Sequence, residues 1–458
     1  TRTMKDIVCR YKSMKGFYVP RKAGWDCHGL PVEIEVEKEL GLKNKKDIEN
    51  YGVERFNEMC KKSVFRYEDA WVEMTERLGF WIDMDNPYIT LENDYIESVW
   101  WSLKKLWEKG LIYRGYKVVW YCPRCGTPLS SHEVALGYKK VKDPSVFVKF
   151  PLVDRKNTFL LAWTTTPWTL PSNVALAVNP DFEYALVKSD GEYFILAKDL
   201  VEKVLDEYEL VEVFGGKELE GWKYKPLFDY ADVDDNAYYV ILADFVTLEE
   251  GTGIVHIAPA YGEEDYEVSK EYNLPVVQLV NQDGKFVEEA EKWAGMFFKE
   301  ADPYIIKDLE ERGLLYKHGE YEHDYPFCWR CETPLLNYAR NTWYIKMSDL
   351  RDELLRNNDM INWVPDYIKH GRFGNFLENV VDWALSRERY WGTPFPMWVC
   401  EKCEYKMMIG SREELKKYAI NKPRKEDLHK PYIDEVILRC PKCGSNMKRV
   451  PDLSLIHI

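Results

Sequence analysis

An α/β host interrupted by a β-rich insertion is the fold class that this 458-residue sequence predicts. Three observations predict it. Helical apolar spacings interleaved with short strands occupy both ends of the chain. Between about residues 143 and 323 the texture changes to short apolar or alternating runs separated by turn residues, which predicts a compact β-barrel with a few helices. Four C-x-x-C pairs mark the seams: Cys122/Cys125 just before the insertion, Cys328/Cys331 just after it, and Cys400/Cys403 with Cys440/Cys443 beyond. The expected domains are 1–141 (host, with the first knuckle), 142–322 (insertion), 323–396 (host, with the second knuckle), 397–452 (a self-contained ribbon) and 453–458 (a tail).

Taken in order, residues 1–15 place Met4, Ile7, Val8 and Tyr11 on one helical face. GWDCHGLPVE, residues 24–33, then reads as a strand and loop entering a helix, with Pro31 and Glu33 in the first turn. Asp26 and His28 lie in that loop, at the strand end where α/β folds bind ligands. The alternative is that Asp26 caps the helix and His28 packs. Val53, Phe56, Cys60, Val64, Tyr67, Trp71, Met74 and Leu78 predict one long amphipathic helix with Cys60 in its core face. A further helix covers about 93–109 and stops at Gly110. Residues 117–121, KVVWY, predict a strand into the first knuckle.

Within the insertion, residues 163–173 read WTTTPWTLPSN. Thr164, Thr165 and Thr166 are stiff at χ1, and Pro167 biases Thr166 towards an extended backbone. This predicts a strand ending in hydroxyls of fixed direction between aromatic walls. Such an array suits a small hydrogen-bonding pocket, or it is a threonine-rich strand end with no ligand.

Composition narrows the class. The chain is 46% hydrophobic and 31% charged, ample for a core. No apolar run nears the length of a membrane span, and a cytoplasmic location is expected. A net charge of −14 argues against a dedicated polybasic binder. Eight of the eleven cysteines fall in the four pairs, a spacing that reads as structural zinc rather than disulfides. A zinc joining Cys122/Cys125 to Cys328/Cys331 would clamp a stalk across roughly two hundred residues. Near the C-terminus, Arg387 and Arg389 mix with Trp383, Trp391 and Trp398. They suit phosphate or stacking contacts, or a buried packing seam. The final LSLIHI fits nothing before it and reads as a non-native tail. With an equally abrupt start, the chain reads as an internal fragment.

GWDCHGLPVE, WTTTPWTLPSN, GTGIVHIAPAYGEED (251–265) and SRERYWGTPFP (386–396) together resemble isoleucyl-tRNA synthetases, with CPRCG and CPKCG knuckles like the archaeal or eukaryote-like branch. The resemblance covers essentially all of the chain before LSLIHI. Valyl and leucyl enzymes have Thr-Arg-Pro where this chain has Thr165-Thr166-Pro167.

The resemblance implies a Rossmann-type class I synthetase core split by an editing β-barrel. It implies that Asp26 holds the ammonium of isoleucine, and that Thr164, Thr165, Thr166, His256 and Asp265 form an editing pocket that hydrolyses Val-tRNA-Ile. Asp265 would anchor the amino group of the mischarged ester, and His256 would bound the pocket. A second site has a physical reason: one methylene is worth only about 1–3 kcal/mol of discrimination, a limit for which isoleucine against valine is itself the standard instance. The intact enzyme would use ATP, Mg²⁺ and Zn²⁺, with tRNA-Ile, isoleucine and valine as partners. The HIGH and KMSKS signatures are absent from the 458 residues, so this stretch is not expected to form an adenylate by itself. Competing readings are a valyl- or leucyl-type synthetase, a free-standing deacylase, and a non-catalytic zinc-ribbon RNA-binding protein.

Overall fold

A computed structural model describes residues 2–230, 233 and 236–454, apart from the side chain of His132. The chain forms two compact units, Thr1–Gly115 with Thr342–Ile458, and Tyr116–Asn341.

In the first unit, strand Lys22–Trp25 pairs in parallel with Asp83–Ile89. The helix Leu30–Leu40 follows, with a proline in its first turn and Gly41 in the left-handed conformation as its stop. Its N-cap is Gly29, so Asp26 does not cap it. The helix Arg2–Met14 forms where the periodicity places it, but Met4, Ile7, Val8 and Tyr11 are all more than half exposed. Spacing specifies a helix; burial requires a neighbour that spacing cannot supply.

The single long helix expected over 53–78 is corrected to two, Val53–Ser63 and Glu68–Arg77. Apolar steps of three and four continue across the four-residue break, so periodicity alone does not register it. Burial does: Phe56 and Cys60 are in the core, whereas Tyr67, Trp71, Met74 and Leu78 are exposed. Helix Asn93–Glu108 buries Ile96, Val99, Trp100 and Leu103 and ends before Gly110, whose φ is 72°. Trp100 meets Trp398 edge-on at 6.2 Å. Trp398 belongs to a four-stranded antiparallel sheet ordered Lys406–Met408, Met397–Cys400, Asn446–Arg449, Leu438–Arg439.

The Arg/Trp stretch is a packing seam. Buried Arg389 donates from Nε to Glu33 at 2.6 Å and from its terminal nitrogen to Glu37 at 2.6 Å. The second Glu33 oxygen accepts the backbone N–H groups of Tyr390 (3.0 Å) and Trp391 (2.6 Å). Removing one partner from such a buried set strands the others without solvent. We therefore expect Arg389→Met to lower stability by about 3–5 kcal/mol, measured by urea unfolding; a loss below about 1 kcal/mol would contradict this account. Leu453 and Ser454, assigned above to the tail, pair with Arg387 and Ser386 and are buried; residues 455–458 lie outside those described.

The second unit holds a six-stranded sheet in the order Glu209–Gly215, Glu183–Ser189, Glu192–Ala197, Thr158–Thr164, Tyr138–Pro151, Leu315–Pro326. A three-stranded sheet, Tyr239–Leu242, Ala175–Val178, Ile254–Ile257, shares one core with it through residues such as Val146, Leu160, Leu176 and Ile254. Among the described residues these ladders are open, with edges at Glu209–Gly215 and Leu315–Pro326, rather than closed into the expected barrel. Two sheets can enclose a core face to face without a closing ladder. Among the described residues, no helix is long and apolar enough to cross a membrane.

Candidate active site and metal centres

Strand Thr158–Thr164 runs into a 3₁₀ helix, Pro167–Ser172, and the threonines sit at this junction. Thr164 is buried; Thr165 and Thr166 are half-buried. The Thr166 N–H donates to the Thr164 hydroxyl at 3.1 Å, and the two hydroxyls lie 3.2 Å apart. The Thr166 hydroxyl then lies 3.2 Å from that of Thr169, which in turn lies 2.9 Å from His256 Nε2. Thr164, Thr166 and His256 thus belong to one chain of hydrogen-bonding groups, and Thr169 is the link that sequence reasoning missed. Its signal was present: a step of three from Thr166 returns to the same face of a 3₁₀ turn.

His256 lies on strand Ile254–Ile257, opposite Leu176. Burial pushes its pKa down to about 4, so the ring is neutral at pH 7. Its Nδ1 is buried with no hydrogen-bond partner among the described residues.

Asp265 occupies the first turn of helix Glu263–Tyr272, which begins after Gly262. Its carboxylate accepts the Ala258 N–H at 2.8 Å, pinning it two residues beyond His256. A Cβ at Gly262 would come within 2.6 Å of the Asp265 carboxyl carbon, so only glycine leaves that group its place. Burial raises the Asp265 pKa to about 6, against the lowering effect of the Ala258 N–H.

Asp265 and Trp163 line a common cavity of about 290 Å³, whose other walls include Gly251, Thr252, Val255 and Glu264. Gly251 has φ 76°, and a Cβ there would strike the Trp163 ring at 2.8 Å, which explains the glycine in GTG. The cavity lining begins at Trp163 and does not reach Thr164, Thr165 or Thr166.

In the first unit, Asp26 is exposed rather than buried. Its carboxyl pKa is nonetheless raised: desolvation outweighs the hydrogen bonds from the His28 N–H and the Thr90 hydroxyl. The loop is strapped to Trp391, whose indole N–H donates to the Cys27 carbonyl at 2.7 Å and whose carbonyl accepts from Gly29 at 3.2 Å. His28 packs edge-on against Trp391, 5.1 Å between rings.

The eight paired cysteines form two clusters, Cys122/Cys125/Cys328/Cys331 and Cys400/Cys403/Cys440/Cys443. Sγ separations include 3.4 Å for Cys122 to Cys331, 3.5 Å for Cys400 to Cys443 and 3.7 Å for Cys403 to Cys440. Four sulfurs placed tetrahedrally about 2.3 Å from zinc stand about 3.8 Å apart, so both donor sets fit a closed four-thiolate site.

The class of protein follows from comparison with known families. The chain matches the family model described as tRNA synthetases class I (I, L, M and V) over residues 1–453, and it belongs to that family. Its relatives are more particular. It is 57% identical over 453 residues to the isoleucine–tRNA ligase of Clostridium acetobutylicum, covering 99% of this chain and 44% of the relative. It is 56% identical over 450 residues to that of Picrophilus torridus, covering 98% and 44%. It is 54% identical over 458 residues to that of Thermus thermophilus, covering 98% and 43%. The chain thus spans less than half the length of the relatives it matches.

Proposed function

We propose that this chain carries the isoleucine-recognising and proofreading parts of an isoleucine–tRNA ligase, with valyl-tRNA-Ile as the substrate hydrolysed by the unit Tyr116–Asn341. The observation that carries this reading is the cavity lined by Trp163, Val255 and Asp265, whose residues Trp163 and Val255 immediately precede Thr164 and His256 of the hydrogen-bonding chain. The Asp265 carboxylate, ionised at neutral pH, pairs with the α-ammonium of the misplaced aminoacyl ester. The threonine hydroxyls orient the ester, the terminal ribose and an attacking water, and hydrolysis then needs no enzyme nucleophile. Neutral His256 bounds the pocket and excludes the larger side chain of isoleucine. The two sheets enclose the common core of this editing module.

In the unit Thr1–Gly115 with Thr342–Ile458, Asp26 holds the isoleucine ammonium beside Trp391. ATP and Mg²⁺ supply the activation step of the whole ligase, and tRNA-Ile, isoleucine and valine are its partners in the cytoplasm. Zinc fills both cysteine clusters, the first as a stalk clamp and the second as a zinc ribbon; metal analysis should return two zinc ions per chain. The deciding experiment compares hydrolysis of Val-tRNA-Ile with that of Ile-tRNA-Ile. Preference for the valyl ester supports the reading, and equal rates or none overturn it. Retention on RNA without hydrolysis would instead favour the binding-module reading.

A further inference from the structure

Thr166 stands at the N-cap of the 3₁₀ helix Pro167–Ser172, yet its side chain makes no capping hydrogen bond. A threonine at an N-cap commonly uses its hydroxyl oxygen to accept the N–H of the second or third residue, because the first N–H groups of a helix have no acceptor of their own. Here Pro167 has no N–H to satisfy. The next donor, the Trp168 N–H, is answered from a different element. It donates to Asp302 Oδ1 at 2.8 Å, in a buried position. Asp302 lies inside the helix Phe298–Glu311, whose first residue also packs on the Trp168 ring at 4.8 Å between centroids. With that N–H satisfied, the Thr166 hydroxyl is left for Thr164 and Thr169.

We infer that Asp302 is a positioning residue of the deacylation site: it caps the 3₁₀ helix from outside and so frees the Thr166 hydroxyl for the chain that ends on His256. This rests on the deacylase reading above. The cost of placing an acid here is evident, since the Asp302 side chain is 5% exposed. Burial pushes its pKa up to about 8, against the lowering effects of the Trp168 N–H and then of Lys299, with Asp143 adding a little to the rise. Near neutrality Asp302 is therefore largely the uncharged acid, and the role needs only a neutral carbonyl-type acceptor. An asparagine supplies one. A leucine of similar bulk does not, and it leaves the Trp168 N–H buried without a partner. As the N-cap residue, Thr166 is the local side chain suited to accept from that donor, and it would have to leave Thr164 and Thr169 to do so.

The test uses the full chain and Val-tRNA-Ile, with kcat and KM measured separately. Asp302→Leu is expected to lower kcat about tenfold or more with KM changed less than about twofold. Asp302→Asn is expected to keep both within about twofold. Hydrogen exchange over residues 167–172 should quicken in the leucine variant and not in the asparagine variant. If Asp302→Leu does not fold, Asp302→Ala, which adds no bulk, takes its place with the same expected loss. A folded leucine or alanine variant with wild-type kcat overturns the positioning role alone. An unaltered chain that hydrolyses no Val-tRNA-Ile overturns the deacylase reading, and this role with it. A tenfold loss of kcat in a normally melting Asp302→Asn also overturns it, because the acceptor would still be present.

Discussion

Asp265→Ala is expected to lower hydrolysis of Val-tRNA-Ile about a hundredfold in kcat/KM. A hydrogen bond to a charged group is worth about 1.5–3 kcal/mol, and the alanine also strands the Ala258 N–H, now held at 2.8 Å. Asp265→Asn separates these effects, since its amide oxygen still accepts from Ala258 while the charge is gone. If charge is what binds the ammonium, both variants lose activity alike.

The pH profile provides an independent measure. With a pKa near 6, Asp265 is a carboxylate above that value and a neutral acid below it. Wild-type kcat/KM should therefore fall with decreasing pH through about 6, and the fall should be missing from Asp265→Asn. The same shift acts on stability. The folded protein binds this proton more tightly than the unfolded chain does, so stability falls as pH rises from about 4 to about 6 and is level above. Asp265→Asn should accordingly melt a few degrees above wild type at neutral pH while being the poorer enzyme. A fully active Asp265→Ala would remove the basis for assigning this cavity to proofreading.

Breaking the proposed zinc site at Cys122, Cys125, Cys328 and Cys331 is expected to have the largest effect on stability. Cys122 and Cys331 are 209 positions apart, and their sulfurs lie 3.4 Å from each other. By the loop-entropy relation for cross-links, closing a loop of that order is worth about 5 kcal/mol. In a unit of this size that corresponds to about 10–20 °C in Tm. Calorimetry of Cys328→Ala, beside zinc quantitation, checks it. The expected result is one zinc fewer per chain and an early-melting transition. An unchanged thermogram with two zinc ions retained would show that the cysteines are not a clamp.

Much of this was legible from spacing. The C-x-x-C pairs assemble as paired, because a knuckle is local and two knuckles have few ways to share one ion. Helix Leu30–Leu40 begins and ends at its glycines for reasons written in backbone sterics. Of the residues singled out along the insertion, Thr164, Thr166 and His256 share one hydrogen-bonding chain, while Asp265 lines a cavity that the threonines do not reach. Thr169, by contrast, was quoted in the motif and given no role, because its partner His256 lies 87 positions away. Asp302, 134 positions from Trp168, carried no local signal at all.

By itself, then, the sequence determined the family, the cysteine clusters, and the start and stop of helices such as Leu30–Leu40. These depend on short-range sterics and on side-chain type. Only the tertiary structure decided that residues 53–78 form two helices, that the ladders among the described residues are open, that Asp26 is exposed, and that Asp302 answers the Trp168 N–H. Each of those turns on which distant surface arrives to bury an apolar face or satisfy a donor, and packing, not spacing, selects that surface.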